Sequence, residues 1–323
     1  MRSGQYEVRR VNSEDVMGLV SLFKETFNKG VSPEFYYWRL FNNPLKLSWG
    51  FVATHKDKII AFASLTPQQV IYRGKEFIIG TSGSSMVSPD FQRLGIYSKL
   101  ARVMYKRAYD QHCNFICGFP NRNSHYGRVV KLNWFNICEI PQLSNKIRCI
   151  SQSKNSISDY EIISVDKLER ETINECLEKR LETYYDTISL REDYTFFKWR
   201  YIEHPSYNYY VFKHKKNFEN FIIKFYHPEK DGKQIDILTV NVYEKRDLEE
   251  LICGLILYCE ASEIGQINLW LNCNDKFYTS FEKFGFYHSS PITWFSGLEE
   301  PEGFTFFYDC HNWNFSFALS DVY

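Results

Sequence analysis

The sequence predicts an α/β (α+β) protein with two domains of the same fold, in which each domain is a mixed, mostly antiparallel central sheet flanked by helices. The first observation behind this prediction is an internal repeat. The pattern F-x-x-W-R-x-x-x-x-P at residues 35–44 returns at 196–205, a shift of 161 positions (196 minus 35). The second is that strand-like runs follow each copy, at 49–65 and at 209–226. A repeat of this length indicates two domains of one fold rather than a solenoid.

The elements of the first half follow from the spacing of apolar residues and from capping residues. Asn12 or Ser13 supplies an N-cap for a helix that ends at Phe27, and a second helix opens at Ser32 with proline in its first turn. The predicted strands are 6–11, 49–54, 59–65, 69–72, 76–87 and 114–119. Helices at 96–111 and through Lys131 complete this half. The order strand, helix, strand around 96–111 implies a parallel crossover.

The second half predicts the same elements in a shorter form. A strand at 234–242 leads into a helix at 248–261, and the alternating tail at 315–323 is typical of a strand. The triplet L-N-W at 132–134 corresponds to F-G-F at 284–286 in the second half. The polar run 151–159 is typical of a linker. We therefore predict an N-terminal domain at 1–150, a linker at 151–160 and a C-terminal domain at 161–323.

Composition excludes several classes of function. The chain has 323 residues, of which 44% are hydrophobic, so it can bury sizeable cores. Its 39 Lys and Arg residues balance 39 Asp and Glu residues, so no nucleic-acid partner is expected. The apolar runs are shorter than a membrane span, and the N-terminus has no apolar signal region, which predicts a cytoplasmic protein. The nine cysteines include no C-x-x-C pair, and no group of Cys and His residues has the spacing of zinc ligands. We therefore expect reduced thiols in the core and no metal site.

The candidate ligand site is the turn between the strand ending at Val87 and the helix that follows it. The first N–H groups of such a helix have no intrahelical partner, and the helix dipole places positive charge beside them, which suits a phosphate. Gly95 allows a close backbone approach, and Gln92 and Arg93 add donors. The corresponding turn of the second half, 243–247, has no glycine and carries two carboxylates that repel phosphate. The sequence therefore predicts one anion site, in the N-terminal half.

The motif Q-x-x-G-x-Y at 92–97 resembles the signature with which the GNAT superfamily of acyl-CoA-dependent N-acyltransferases holds the CoA pyrophosphate. Tyr97 stands where that family usually has Gly or Ala. The order of elements over residues 5 to 150 is also similar to the GNAT fold. The resemblance implies a tandem GNAT protein that uses acetyl-CoA as co-substrate. The cofactor positions that it implies are the backbone of Met86 and Val87 for pantetheine, Gln92, Arg93, Leu94, Gly95, Ile96 and Tyr97 for pyrophosphate, Ser98 and Lys99 beside it, and Asn121 and Asn123 after the fifth strand.

These implied positions have structural alternatives. Lys99 either reaches a CoA phosphate or lies on a solvated helix face. Asn121 and Asn123 either bind pantetheine amides or acceptor hydroxyls, or cap the helix that follows. The repeated Trp38-Arg39 and Trp199-Arg200 pairs indicate packing, since both copies keep them, and an aromatic acceptor pocket between the domains is the functional alternative.

Direct acyl transfer needs a neutral amine, a donor to the thioester oxyanion and an acid for the leaving thiolate. The resemblance makes Tyr126 the candidate acid, although it lies seven residues before Asn133 rather than the usual four before a glycine. His125 is the rival acid or base. Some two-domain relatives bring the C-terminal carboxylate into the active site, which makes Asp321 or the carboxylate of Tyr323 the candidate base. A final strand is the structural alternative for this tail.

The predicted function is N-acetyl transfer from acetyl-CoA to the primary amine of a small molecule. By resemblance to tandem GNAT proteins of cell-surface polysaccharide synthesis, the preferred acceptor is an amino-sugar nucleotide. The C-terminal half is expected to line the acceptor pocket. The alternatives are a tRNA-dependent aminoacyl transferase of the peptidoglycan type and a non-catalytic module that binds a ligand.

Overall fold

A computed structural model describes residues 6–147, 156–228, 232–298 and 303–320 of the chain. The strands of the first half are β1 (Glu7–Arg10), β2 (Trp49–His55), β3 (Lys58–Tyr72), β4 (Lys75–Val87), β5 (Phe115–Gly118) and β6 (Trp134–Lys146). Its helices are α1 (Val16–Phe27), α2 (Pro33–Leu40), α3 (Ile96–Asp110) and α4 (Arg122–Leu132).

The second half repeats this series with one short extra strand. Its strands are β7 (Tyr160–Ser164), β8 (Ser189–Leu190), β9 (Tyr209–His214), β10 (Asn220–Tyr226), β11 (Gln234–Asn241), β12 (Gln266–Trp270) and β13 (Tyr287–Leu298). Its helices are α5 (Arg170–Thr183), α6 (Tyr194–Phe197), which continues as a π-helical turn at Lys198–Ile202, α7 (Lys245–Ala261) and α8 (Tyr278–Lys283). Among the described residues, no helix is both long and apolar enough to cross a bilayer.

The described strands join in one sheet, and their order shows the duplication directly. The order is β1-β2-β3-β4-β5-β13-β6-β12-β11-β10-β9-β7, with β8 beside β3. Read from either end, it is the same series of six strands. β4 and β5 are parallel, as are β11 and β12, and the other pairs are antiparallel. The predicted fold of two tandem, mostly antiparallel GNAT-like units is confirmed.

The two halves exchange their last strands. β13 pairs with β5 of the first half, while β6 pairs with β12 of the second. β6 and β13 also pair with each other at the centre of the sheet. Each half is therefore completed by a strand of the other, which the sequence pattern did not predict. The domain boundaries expected at 1–150 and 161–323 stay a prediction.

The repeated Trp residues meet each other between the two halves. The rings of Trp38 and Trp199 stack with centroids 4.6 Å apart and planes 10° apart. Trp38 Nε1 donates to the carbonyl of Trp199 at 2.7 Å, and Trp199 Nε1 donates to the carbonyl of Trp38 at 3.1 Å. Both side chains are buried. The reciprocal pair has the approximate two-fold symmetry of the sheet, and it agrees with the packing interpretation of the motif.

Two predicted elements differ in the structure. The strands expected at 59–65 and 69–72 are one strand, β3, which passes through Pro67. Proline is tolerated because the pairing of β2 with β3 stops at Trp49 and Leu65, so β2 needs no N–H from Pro67. Of the strand expected at 315–323, the described part, 315–320, is not a strand, since Phe317–Leu319 form a 3₁₀ turn in which three consecutive side chains are buried. Alternation fails as a guide where both faces of a segment are inside the protein.

Below neutral pH we expect His204 to destabilise the fold. Its ring lies 4.3 Å from that of Trp38, and its Nδ1 accepts from the backbone N–H groups of Ser206 and Tyr207 at 3.1 and 3.2 Å. Burial, together with the positive charges of Arg200 and Lys224, lowers the pKa of His204 from 6.5 to about 3. The unfolded chain therefore binds the proton first, so stability is lost as pH falls from about 6.5 towards 3.

At pH 5 the titration of His204 lowers the free energy of unfolding by roughly 2 kcal/mol. Urea unfolding of wild type and His204→Asn at pH 7 and pH 5 measures it. The variant should lose about that much less stability between the two pH values. Identical pH dependence in the two proteins would contradict the assignment.

Candidate functional site

The turn before α3 has the backbone geometry of an anion site. Arg93 and Gly95 both adopt left-handed conformations, with φ of 64° and 75°. Gly95 is the N-cap residue of α3, and no side chain caps the helix. A Cβ built on Gly95 would meet nothing within 4 Å, so the space before the helix is open. Residues 92–95 are exposed, and the first N–H groups of α3 face this opening with the positive end of the helix dipole.

The position of the turn is fixed by the packing of α3. Ile96, Leu100 and Met104 are buried against the sheet, and they anchor the helix from its first residue. Upstream, the N–H of Ser88 donates to the carbonyl of Ile60 at 2.8 Å. Gln92 Nε2 donates to the carbonyl of Val87 at 3.3 Å, so the side chain of Gln92 lies back along β4. The turn is therefore fixed at one end by the buried start of α3 and at the other by Ser88, while the backbone between them is exposed.

A basic groove runs from this turn between α3 and α4. It has a volume of about 650 Å³ and is lined by Gly95, Ser98, Lys99, Arg102, Val103, Val130, Lys131 and Asn133. Three of the lining side chains are cationic and none is acidic. Arg102 Nη2 donates to the carbonyl of Lys131 at 2.7 Å and ties the two helices together. Lys99 Nζ lies 4.9 Å from the ring centroid of Tyr6. The groove offers an anionic ligand a positively charged surface that is continuous with the turn.

The corresponding turn of the second half differs from the first in backbone conformation and in charge. The N-cap of α7 is Glu244, which has an extended backbone, and Asp247 lies in the first turn of the helix. Among the described residues, none at 241–247 has a left-handed backbone. Lys276 Nζ donates to the carbonyl of Tyr243 at 2.8 Å and so covers part of this turn. That the second turn does not suit a phosphate stays a prediction, and its acidic residues and extended backbone support it.

β4 and β5 separate beside the turn. They pair only as far as Ser82 and Gly118, whereas β4 continues to Val87. A bulge lies in this unpaired part, where Ser84 and Ser85 together oppose Ala63 of β3. Ser84 has a φ of 44°. A bulge re-aims the backbone and side chains of its strand, here at the point where the β5 ladder has ended. Met86 and Val87, the predicted pantetheine positions, follow directly and pair with β3.

Side chains from two helices hold this bulge. Arg39 Nη1 donates to Ser84 Oγ at 2.7 Å, and Ser85 Oγ donates to the hydroxyl of Tyr97 at 3.3 Å. Tyr97, the residue that departs from the GNAT pattern, therefore places a phenol beside the gap between β4 and β5. Its ring is partly buried against the core under α3.

Arg128 is a functional candidate that the sequence did not reveal. It lies on α4 and is 5% exposed, yet its Nε and Nη1 have no hydrogen-bond partner among the described residues. Its guanidinium lies 4.7 Å from the ring centroid of Trp134. A Cβ at Gly118 would lie 3.0 Å from Arg128 Nη1 and 3.1 Å from the carbonyl oxygen of Ser82. Glycine at 118 therefore leaves room for the guanidinium where β4 and β5 part.

Buried donors without partners cost about 1–3 kcal/mol each unless something binds them. Ser82 Oγ, in the same place, also has no partner among the described residues. An arginine within an amphipathic helix is common, so nothing in the sequence singled out Arg128. The one local indication in the sequence was Gly118 at the end of a strand, which marks a place where another group can approach the backbone closely.

The other predicted site residues lie at the start of α4. Asn121 caps the helix, since its Oδ1 accepts from the N–H of Ser124 at 3.1 Å. His125 Nε2 is 2.8 Å from Asn136 Oδ1, and its ring stacks on Trp294 at 4.3 Å. Tyr126 is 66% exposed on the outer face of α4, so a role in proton transfer requires the thiolate to reach that face. Asn123 lies in the first turn of α4.

The C-terminal segment approaches the site from the second half. Ser320 lines a small cavity together with both Trp-Arg pairs and Thr66. Arg200 Nη2 donates to the carbonyl of Ser320 at 3.2 Å. Arg39, on the other side of this cavity, is the residue that holds Ser84. Asp321 and Tyr323, the predicted base candidates, lie outside the described residues, but the segment leading to them ends beside the bulge.

Cys117 on β5 lies in the same region and is fully buried. Burial raises the pKa of its thiol to about 12. The thiol is therefore protonated at neutral pH and is a poor nucleophile, because the thiolate is the reactive form. This favours direct transfer over a cysteine-bound acyl intermediate.

Comparisons with known proteins agree with the geometry. Residues 7–129 match the family model described as an acetyltransferase (GNAT) domain. A GCN5-related N-acetyltransferase from Anabaena variabilis superposes with a TM-score of 0.66 at 11% identity, over 90% of this chain and 72% of that one. N-myristoyltransferase from Saccharomyces cerevisiae, solved with bound myristoyl-CoA, superposes with a TM-score of 0.63 at 11% identity, over 92% and 83%. A comparison with curated protein sequences finds no match.

At these identities the solved structures show the shared fold, and the family model shows the domain to which the site belongs. The resemblance predicted from residues 92–97 is confirmed. Residues 7–129 of this chain match the GNAT acetyltransferase domain, and the chain as a whole has the fold of the N-acyltransferases on which it superposes.

Proposed function

We propose that this protein transfers an acetyl group from acetyl-CoA to the primary amine of a small acceptor. The observation that carries the proposal is the left-handed, uncapped turn at Arg93 and Gly95, which opens on a basic groove in the first half and has no counterpart in the second. In this proposal the N–H groups at the start of α3 bind the CoA pyrophosphate, and Lys99, Arg102 and Lys131 attract the remaining phosphate. One cofactor is bound per chain.

The gap between β4 and β5 suits the thioester end of the cofactor. Bound acetyl-CoA supplies an activated thioester, whose acyl carbon is attacked by the amine. The backbone of Met86 and Val87 binds the pantetheine amides beyond the bulge. Arg128 presents donors that have no partner among the described residues, and we assign them to the oxygen of the thioester or of pantetheine, because such a contact would satisfy a buried guanidinium.

Three groups are candidates for the acid that protonates the thiolate. Tyr126 and His125 come from the sequence, and Tyr97 joins them because Ser85 holds its hydroxyl at the gap. The pH dependence of kcat in Tyr97→Phe, His125→Gln and Tyr126→Phe distinguishes them. If the decrease of kcat at high pH disappears in only one of the three variants, the residue replaced in that variant is the acid.

The acceptor is proposed to enter from the second half, which closes the site opposite α3. An amino-sugar nucleotide is the preferred acceptor. Thiol release from acetyl-CoA is to be measured against amino sugars, their nucleotides, polyamines, aminoglycosides and peptides. Acetyl-CoA at 100 times its Kd should also stabilise the protein by about 2.7 kcal/mol. If acetyl-CoA gave neither thiol release with any amine nor stabilisation, the proposal would fail.

We propose further that the C-terminal carboxylate, or Asp321, makes the amine neutral, because Ser320, which directly precedes these residues, lies beside Arg39 and Arg200. If the carboxylate of Tyr323 is the base, deleting Val322 and Tyr323 should lower kcat by about 100-fold or more while acetyl-CoA affinity is kept; if Asp321 is the base, Asp321→Asn should do so. Tyr323→Phe is the matched control, because it keeps the terminal carboxylate. Unchanged turnover of both the deletion and Asp321→Asn with every acceptor excludes these carboxylates as base.

A further inference from the structure

A chain of hydrogen bonds leads from the exchanged strand β13 to His125 on α4. Ser296 of β13 pairs with Gly118 of β5 on one side and with Asn136 of β6 on the other. The buried hydroxyl of Ser296 donates to Asn136 Oδ1 at 2.8 Å, and His125 Nε2 lies 2.8 Å from the same oxygen. A strand of the second half therefore supports a side chain that is a candidate for catalysis in the first half.

These contacts determine which ring nitrogen of His125 carries hydrogen. Among the described residues, Asn136 Oδ1 is the one acceptor within hydrogen-bond reach of the buried Ser296 hydroxyl, so a reversed Asn136 amide would leave that hydroxyl without an acceptor. An amide oxygen only accepts, and His125 Nε2 must therefore donate to it. In the neutral ring, Nδ1 then has a free lone pair and can take up a proton.

The plane of the His125 ring is also fixed by the exchanged strand. The ring stacks on that of Trp294, with centroids 4.3 Å and planes 27° apart. Trp294 lies on β13, two residues before Ser296. The stack and the contact of Nε2 with Asn136 together define the position of the ring and the direction of Nδ1. When Nδ1 takes up a proton, the resulting cation lies over the face of an indole, which favours it.

His125 lies beside the place that we assign to the thioester. Arg128 follows it by three positions on α4, and residues at this spacing lie on the same face of a helix. The guanidinium of Arg128 lies against Gly118, at the point where β4 and β5 part. Ser296 pairs with the same Gly118 from the other side. His125 is therefore one helical turn away from the side chain to which we assign the thioester or pantetheine oxygen.

We propose that His125 carries a proton from the attacking amine to the leaving sulfur, and that Asn136 and Ser296 are its positioning residues. This inference rests on the proposed acetyl transfer and deepens it. A primary ammonium loses two protons in that reaction, and the tail carboxylate takes the first. As the amine nitrogen bonds to the acyl carbon, the second proton passes from nitrogen to His125 Nδ1. The carbon–sulfur bond then breaks, the proton passes to the thiolate, and His125 is neutral again.

The tautomer of His125 is tested in the purified full-length protein without substrate. ¹⁵N NMR of the histidine-labelled chain, at a pH where the ring is neutral, should show a protonated Nε2 and an unprotonated Nδ1. Comparison with His125→Gln assigns the signals. In Asn136→Leu the two tautomers should become mixed, because the oxygen that holds the Nε2 hydrogen is gone. A protonated Nδ1 in the neutral ring of the wild type would overturn the proposal, whatever the activity of the protein.

Turnover of acetyl-CoA with an accepted amine tests the role of His125. His125→Gln should lower kcat by about 100-fold or more, and Asn136→Leu by about 10-fold or more, while both KM values are kept. Asn136→Asp should recover most of kcat, because a carboxylate oxygen also accepts from Nε2. The double variant should have the kcat of His125→Gln, because Asn136 acts only through His125.

His227→Gln is the matched control, since His227 is exposed directly after β10 and its replacement should leave kcat unchanged. Circular dichroism confirms that each variant is folded. The proposal is overturned if Asn136→Leu keeps the kcat of the wild type, or if the losses of the two single variants multiply in the double variant. If the wild type releases no thiol with any amine, the acetyl transfer and the proton-carrying role both fail, whereas the NMR result still decides whether Asn136 sets the tautomer.

Discussion

Gly95→Glu is expected to weaken acetyl-CoA binding by at least about 100-fold, which corresponds to about 2.7 kcal/mol. Two effects contribute. A Cβ at φ 75° disfavours the left-handed turn by roughly 1–2 kcal/mol, so the free variant relaxes away from this conformation and binding has to restore it. A carboxylate at the N-terminus of α3 occupies the end of the dipole that would otherwise bind phosphate, and it repels the cofactor through its own charge.

Isothermal titration with acetyl-CoA measures this effect, and two control variants separate its causes. Gly95→Ala adds a Cβ into open space, so it should show the backbone effect alone and lose affinity by about 5-fold to 30-fold. Glu244→Gln changes the corresponding position of α7 and should leave the affinity unchanged. If Gly95→Glu bound acetyl-CoA as tightly as wild type, the turn would have no part in cofactor binding.

Trp199→Ala should lower the free energy of unfolding by about 3–5 kcal/mol, the usual cost of deleting a buried large aromatic side chain. The change removes the ring that stacks on Trp38 and leaves the carbonyl of Trp38 without its donor. Trp199→Phe keeps an aromatic ring and loses the N–H, so it should cost about 1–3 kcal/mol. Urea unfolding monitored by circular dichroism measures both variants.

The matched control for this prediction is Tyr185→Ala, because Tyr185 is 55% exposed and its loss should change stability by about 0.5 kcal/mol or less. The same series decides between packing and an acceptor pocket. Packing predicts that Trp199→Ala keeps the acceptor KM at temperatures where it is folded. An unchanged free energy of unfolding with a raised acceptor KM would instead place the Trp pair in the pocket.

Much of the fold was readable from the sequence because its signals are local. The glycine turn before α3 and the apolar face of Ile96, Leu100 and Met104 each lie within a single segment, and each copy of the repeated motif is a short local pattern that returns 161 positions later (196 minus 35). They predicted the duplicated fold, the one competent turn and the GNAT resemblance. The structure and the family match confirmed the duplicated fold and the GNAT resemblance, and the one competent turn stays a prediction.

The features that were predicted wrongly, or not predicted at all, involve contacts between segments that are distant in the sequence. β6 and β13 would have the same sequence pattern whether each paired within its own half or with the other half. The exchange of these strands therefore could not be predicted from the sequence. The tail alternates like a strand, but burial on both sides makes it a turn. Arg128 looks like an ordinary helix residue until Gly118 and Ser82 are placed against it.

By itself, then, the sequence determined where the chain turns, which helix follows a glycine-containing turn, and that the chain contains the same unit twice. Only the tertiary structure decided which strand completes each unit and which buried arginine has donors without partners among the described residues. Local conformation depends on neighbours a few positions away, whereas these arrangements depend on long-range contacts that no spacing in the chain encodes.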